Sequence, residues 1–293
     1  MSKKLSVLQN FKSSQLLRDP FPYVVIEQAL PSSTYEKLAE SYPSLDLVFE
    51  HRRDNQPGSK MESNHRYDIP ASFVLRNSPD FGLWRDFVQY HTSQDFLDEF
   101  IDKFGECVKT SQPGIIESMS AKSPSGHPRA GLRRVADRRE DCEIALDCQV
   151  GVNSPVTAEP SSVRSAHLDS AVELYAGLFY CRNPGDKSEG GDLMIYGWKD
   201  GKRSLNRGSR ISLEDVVVKD KVPYGANKLA LFINGIDVVH GVSPRHQTDY
   251  PRRLVNIIGE IYPTADRLFD IEKYRQKPTL GSFVKQQIGR LFS

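Results

Sequence analysis

The second half of the chain alternates apolar and polar positions in short runs. Ile144–Asn153 alternates cleanly and predicts a strand, and Glu173–Cys181 predicts another. Gly190–Tyr196, Asp215–Val218, Lys228–Ile233, Val238–His240 and Leu254–Ile258 continue the series. Turn signals such as Asn183-Pro-Gly-Asp186 and Trp198–Lys202 separate them. Short strands at close intervals predict a sandwich or barrel-like β core. The first half has the other period. Leu30–Tyr42 predicts a helix with Leu38, Ala39 and Tyr42 on one face and Ser32 or Ser33 as its cap. Trp84–Tyr90 and Thr92–Phe104 predict two more. The second of these carries a stripe of Phe96, Leu97, Phe100, Ile101 and Phe104 behind Thr92 or Ser93 as cap. Such a stripe is a core face, and these helices are expected to cover one side of the sheet. One β run comes early, Asp19–Glu27, where prolines mark the start and Val-Val-Ile follows.

The stretches at 50–66 and 109–139 are polar and turn-rich and read as loops. At the end of the chain Leu280–Phe292 is amphipathic and is expected to dock on its own domain or to form a dimer seam. Its glycines weaken it as an isolated helix. The expected architecture is α+β, mainly β with flanking helices. A single domain spans 1–293, with helical and strand support over 1–140, the β core over 141–262 and a helical segment over 263–293.

Composition narrows the function classes only slightly. The chain has 293 residues, enough to bury a sizeable core. Its 39 basic and 38 acidic residues leave a net charge of +1, with no global pull toward nucleic acid or a membrane surface. Cys107, Cys142, Cys148 and Cys181 form no CxxC pair, which argues against a zinc knuckle. The start of the chain lacks the apolar run of a signal peptide, and no segment nears 18 continuous apolar residues. A cytoplasmic protein with reduced thiols is expected.

The chemistry concentrates in Ser165-Ala-His167-Leu-Asp169-Ser170. In extended backbone, residues i and i+2 share a side, so His167 and Asp169 can face one ion. The best third ligand is His240, in Asp237-Val-Val-His-Gly-Val-Ser-Pro244. Two imidazoles and a carboxylate suit a non-haem Fe(II) site with open positions. His246 sits in a polar turn without the apolar strand that brings His240 into register. His51 and His65 have no carboxylate at ligand spacing, and each reads as a surface or core-edge histidine. The cluster Arg129, Arg133, Arg134, Arg138 and Arg139 reads as a solvated loop, with a grip on an anionic substrate as the functional alternative.

His167-Leu-Asp169, Gly190-Gly-Asp-Leu, His240-Gly-Val-Ser-Pro and Arg253-Leu-Val-Asn-Ile, taken in order, resemble the Fe(II)- and 2-oxoglutarate-dependent dioxygenases, and among them the prolyl-4-hydroxylase-like group. The likeness spans roughly 142–262, with an echo in Asp19-Pro-Phe-Pro-Tyr. It implies a double-stranded β-helix (jelly-roll, cupin-like) core and Fe(II) held by His167, Asp169 and His240. It also implies 2-oxoglutarate and O₂ as co-substrates, with ascorbate as a candidate accessory reductant. The distal carboxylate of 2-oxoglutarate then needs a cation. Arg253, directly before the hydrophobic run, is the choice over Arg252, since the two face opposite sides of a strand. Tyr180 is a second candidate for that carboxylate. Arg164 is a candidate contact to substrate or co-substrate, and Asn234 and Asp237 read as turn formers. The implied reaction hydroxylates a C–H bond with release of succinate and CO₂.

Two other classes stay open at this point. One is a metal-binding protein of the same fold that is non-catalytic or independent of 2-oxoglutarate. The other is a nucleic-acid-processing member, kept open by the arginine cluster though unsupported by any basic helix or stacking motif, so no nucleic-acid partner is expected. The substrate class (amino acid, peptidyl group or small metabolite) and the oligomeric state are not written in the sequence. Substrate contacts are expected from the loops at 50–66, 110–140 and 198–212.

Overall fold

The computed structural model describes residues 5–52, 56, 58–133, 142–205, 208–262 and 267–275. The amphipathic segment at 280–292 lies outside the described residues, as do Arg134, Arg138 and Arg139.

The strands are, in chain order, β1 (Leu16–Leu17), β2 (Tyr23–Glu27), β3 (Arg66–Ile69), β4 (Ala130–Leu132), β5 (Ile144–Asn153), β6 (Glu173–Cys181), β7 (Leu193–Trp198), β8 (Val216–Val222), β9 (Ala226–Ile233), β10 (His240–Val242) and β11 (Arg252–Ile261). Eight of them form one sheet in the order β1-β2-β9-β6-β11-β5-β3, with β4 running parallel beside β5. The other three form a small antiparallel sheet, β10-β7-β8. The helices are α1 (Ser32–Glu40), α2 (Leu45–Glu50), α3 (Ala71–Arg76), α4 (Leu83–His91), α5 (Gln94–Ser111) and α6 (Ile115–Lys122). Among the described residues no helix is long and apolar enough to cross a membrane.

The large sheet is covered on both faces, and the two faces do different work. All ten residues of β5 are buried. Ile144, Leu146, Cys148, Val150 and Val152 turn to the helices and join their core. Gln149 and Asn153 turn to the other face and line a cavity. Strand β11 divides the same way. Val255 and Ile257 join the helix-side core, while Arg252, Leu254, Asn256 and Ile258 line the cavity. The helices dock through aromatic stripes. Phe100 of α5 stacks on Tyr175 of β6 at 4.0 Å between ring centres, and Phe87 of α4 on Phe179 at 5.7 Å. Three of the thiols, Cys107, Cys148 and Cys181, are buried in this helix-side core. On the opposite face, Ala176, Tyr180, Ala230, Phe232 and Leu254 of the large sheet meet Leu193, Ile195 and Val222 of the small one.

The long elements follow the sequence pattern closely. β5 and β6 have the expected bounds, and α5 starts after Ser93, whose hydroxyl accepts the Phe96 N–H. α1 departs from expectation at its start. Pro31 occupies the cap position with no side-chain bond, and Ser32 is already helical. Proline brings the required φ to a helix entrance without leaving an N–H unsatisfied. The segments read as loops conceal short elements. β3 ends the 50–66 stretch and extends the sheet beside β5, and α6 lies within 109–139. Each is short, and its apolar residues show no sustained period.

Candidate metal centre

His167 and His240 are joined through their backbones. The His167 N–H donates to the His240 carbonyl at 2.9 Å, and the His240 N–H donates back at 3.1 Å. This bridge carries the ligand segment across the end of β10. Gly241 makes the approach feasible, since a Cβ there would stand 3.0 Å from the Ser165 carbonyl carbon. Glycine at that place lets two backbones cross closely. The Gly-Gly-Asp and Val-Ser-Pro stretches also meet. The Ser243 N–H donates to the Asp192 carbonyl at 2.9 Å, and the Asp192 N–H donates to Ser243 Oγ at 3.0 Å. Gly190 and Gly191 have φ of +80° and +76°, the left-handed region that favours glycine.

The three side chains converge. One ligand atom from each of His167, Asp169 and His240 lies within 4.8 Å of the others, and all three residues are buried. His167 Nε2 is 3.5 Å from Asp169 Oδ1, and His240 Nε2 is 3.3 Å from Oδ2. The other ring nitrogens are occupied. Nδ1 of His167 lies 2.7 Å from the Ser165 carbonyl, and Nδ1 of His240 lies 3.1 Å from the Val238 carbonyl. A carbonyl only accepts, so each Nδ1 is the protonated nitrogen and each Nε2 presents a lone pair. Lone pairs from two imidazoles and a carboxylate are thus turned toward one another, which a cation would reconcile. Burial and the facing His240 push the His167 imidazole down to about 4. Burial opposes ionisation of Asp169, but when the facing imidazoles carry protons in place of a cation their charge prevails and holds its carboxyl well below the usual range. Arg164 adds a bond from Nη1 to Asp169 Oδ1 at 3.1 Å.

The triad lines a cavity of about 360 Å³ between the two sheets. Arg66, Arg133, Arg164 and Arg252 bring guanidiniums to its wall, and Arg252 is the buried one among them. It is 3% exposed, its Nε donates to the Gly191 carbonyl at 2.9 Å, and its Nη1 lies 3.4 Å from Asn153 Oδ1. Its Nη2, Asn153 Nδ2 and Tyr180 Oη are buried with no hydrogen-bond partner. The expectation that Arg253 faces the site needs correction. Arg253 stands on the helix side of β11, over the Tyr42 ring at 5.3 Å, with Nη1 3.4 Å from the Ala39 carbonyl. The alternation separated the two arginines as expected, with the faces the other way round. Tyr180 does not itself line the cavity. It stands behind Arg252, whose guanidinium lies 4.9 Å from the ring centre. Burial pushes its phenol up while the Arg252 charge pulls it back.

The remaining sequence candidates have local roles. Asn234 Nδ2 donates to the Ser170 and Glu173 carbonyls and pins the turn after the ligand segment. Asp237 pairs with Arg203 at 2.6 Å. Asn153, Gln149, Asn256 and Glu173 line the cavity without a place in the sequence reading, whereas Arg133, expected in a solvated loop, is ion-paired and lines it too. Polar residues four apart on one face of otherwise apolar strands, Gln149 with Asn153 and Arg252 with Asn256, are the signal that marks the first three.

No family model matches the chain, and neither does any curated protein. Solved structures similar to it include a prolyl 4-hydroxylase from Phytophthora capsici, at 13% identity and a TM-score of 0.48 over 98% of this chain and 72% of that one. Another is a prolyl hydroxylase from Trichoplax adhaerens in complex with a hypoxia inducible factor peptide fragment, at 12% identity and 0.44 over 85% and 89%. A third is a 2OG-Fe(II) oxygenase family protein from Caulobacter crescentus, at 12% identity and 0.41 over 92% and 90%.

Proposed function

We propose that this chain is an Fe(II)- and 2-oxoglutarate-dependent dioxygenase with a double-stranded β-helix core, hydroxylating an amino acid, a peptidyl group or a small metabolite. One observation carries the reading: three converging metal-type ligands share a cavity with a buried arginine that has an unused donor.

The donor set fits the metal. Two neutral imidazoles and a carboxylate on one side of an ion leave its other positions exchangeable. The backbone carbonyls of Ser165 and Val238 hold the two rings in the tautomer that presents Nε2. The far end of the cavity fits a dicarboxylate. Arg252 Nη2 and Asn153 Nδ2 are orphaned donors on residues of the cavity wall, and a carboxylate accepts from both. Gly191 fixes the Arg252 fork by accepting from Nε. In this reading Arg252 takes the role expected of Arg253, and Tyr180 backs the Arg252 guanidinium instead of meeting the carboxylate itself. When bound, ferrous iron and 2-oxoglutarate supply the oxidation, sending one oxygen of O₂ to the substrate C–H and the other to succinate, with loss of CO₂. The protein's share is to hold the three ligands, to anchor the co-substrate carboxylate and to keep the cavity walls apolar through Leu178, Leu193, Phe232 and Leu254.

Anaerobic titration of the Fe(II)-loaded protein with 2-oxoglutarate tests this. A weak visible charge-transfer band in the wild type, absent in Asp169→Ala, is the expected result. Iron binding without a band would instead identify a metal protein that does not use 2-oxoglutarate, and no iron binding would leave a binding module.

A further inference from the structure

The end of the cavity away from Arg252 holds a charge pattern that the proposed oxidation does not use. Arg252 opens β11 and Glu260 stands near its close, paired in register with Glu173 at the start of β6. Arg133, from the turn after β4, reaches into this end. Its guanidinium contacts Glu260 at 2.7 Å and Asp147 at 3.3 Å. One cation thus already serves two carboxylates. Glu173 adds a third carboxyl, lining the same cavity as Asp169 and Arg133. No hydrogen bond or ion pair among the described residues reaches it. Burial, together with the charges of Asp169 and Glu260, pushes this carboxyl up to about 8, although the Arg133 and Arg164 guanidiniums pull the other way. A half-buried carboxyl in acidic company is costly to ionise unless a cation accompanies it.

We infer that Glu173 receives a cationic nitrogen, an ammonium or a guanidinium, of the molecule oxidised here, so that the substrate class is a basic small molecule or a basic side chain. The inference rests on the oxygenase reading above and adds the identity of the second substrate to it. The co-substrate is a poor occupant of this end, because its distal carboxylate would meet Glu173, whereas Arg252, with an unused donor, waits at the other end. A second metal ion is a poor occupant too, because Glu173 is not among the side chains that converge on the triad. Glu173 starts the strand that follows the ligand segment, so a nitrogen held there brings its neighbouring carbons into the cavity that the triad lines. The reaction balances as R–H + O₂ + 2-oxoglutarate → R–OH + succinate + CO₂, with the cationic nitrogen unchanged.

The test pairs each cationic probe with a neutral counterpart. Suitable pairs are free amino acids against their N-acetyl forms, lysine-containing peptides against N-acetyl-lysine ones, and arginine peptides against citrulline ones. Succinate release by the Fe(II)-loaded enzyme is measured alongside the visible 2-oxoglutarate band and alongside calorimetric binding of each probe without O₂. The expected result is a cationic probe that binds and stimulates turnover at least ten-fold more than its neutral partner. Glu173→Gln, nearly isosteric, should erase that preference and leave the band intact, and Glu173→Asp should restore part of it. With the band present, equal response to both members of every pair, no response to any cation, or a preference that survives in Glu173→Gln overturns the inference while the oxygenase reading stands. A missing wild-type band overturns both.

Discussion

His167 and His240, far apart in sequence, exchange both of their backbone hydrogen bonds with each other. The two imidazoles are therefore fixed by main chain before any ion arrives, and the fold does not need the side chains in order to position the ligand segment. His167→Ala and His240→Ala are each expected to lower Fe(II) affinity at least a hundred-fold, measured by anaerobic calorimetry. Circular dichroism should stay unchanged, and the loss of stability should be about 1–2 kcal/mol, in the range of ordinary point mutants.

Arg252→Gln should weaken 2-oxoglutarate binding by roughly 30-fold or more, since removing one partner of a buried charge pair costs about 2–5 kcal/mol. Arg253→Gln should leave co-substrate affinity within two-fold, because its guanidinium packs on Tyr42 on the far side of β11. The visible-band titration on both variants checks the pair. Loss in Arg253→Gln with retention in Arg252→Gln would contradict the assignment.

Gly190→Ala should be among the most damaging single-methyl changes in the chain. A Cβ there would stand 1.8 Å from the Pro244 carbonyl oxygen, at a φ of +80°. Backbone strain of about 1–3 kcal/mol adds to the clash. Thermal denaturation should show a midpoint lowered by several degrees, together with weaker 2-oxoglutarate binding, because the neighbouring Gly191 holds Arg252.

His91 provides a pH test remote from the site. It is fully buried, with Nδ1 2.8 Å from the Phe87 carbonyl and Nε2 accepting the Val7 N–H at 3.3 Å. Burial pushes its imidazole down to about 3, against an ordinary value of 6.5. Below 6.5 the unfolded chain binds a proton that the folded protein refuses, so stability falls as pH drops from 6.5 toward 3, by up to about 1.4 kcal/mol per pH unit. Urea unfolding of wild type and His91→Gln at several pH values should show the gap between them closing on acidification. A constant gap would mean that His91 is protonated in the fold.

The sequence disclosed the His-Asp-His triad because His-x-Asp in extended backbone commits two side chains to one side, and because His240 ends an apolar run. It also separated Arg252 from Arg253. What it did not disclose is which side of β11 faces the cavity. Both faces of that strand are buried, and both bear apolar residues, Leu254 and Ile258 on one and Val255 and Ile257 on the other. The deciding information lies in the partner strand. Arg252 registers with Asn153 and Asn256 with Gln149, so the polar halves of two buried strands coincide. Register is a tertiary property that alternation within one strand does not contain. Short elements such as β3 and α6 escaped for a related reason. Their apolar residues, Tyr67 and Ile69 or Ile116 and Met119, are too few to establish a period and are buried by contacts with distant strands and helices.

The large sheet also acts as a chemical partition. Cys107, Cys148 and Cys181 lie in the core on its helix side, and burial pushes all three thiols up, well out of the thiolate form. Only a thiolate binds ferrous iron or is oxidised readily. Among the described residues of the cavity wall, the donor atoms open to a metal ion are nitrogen and oxygen. The soft sulfur ligands and the triad-lined cavity therefore occupy opposite sides of one β layer. On the proposed function, this arrangement keeps the three thiols away from the oxidation site, and they should resist alkylation and peroxide in the folded state.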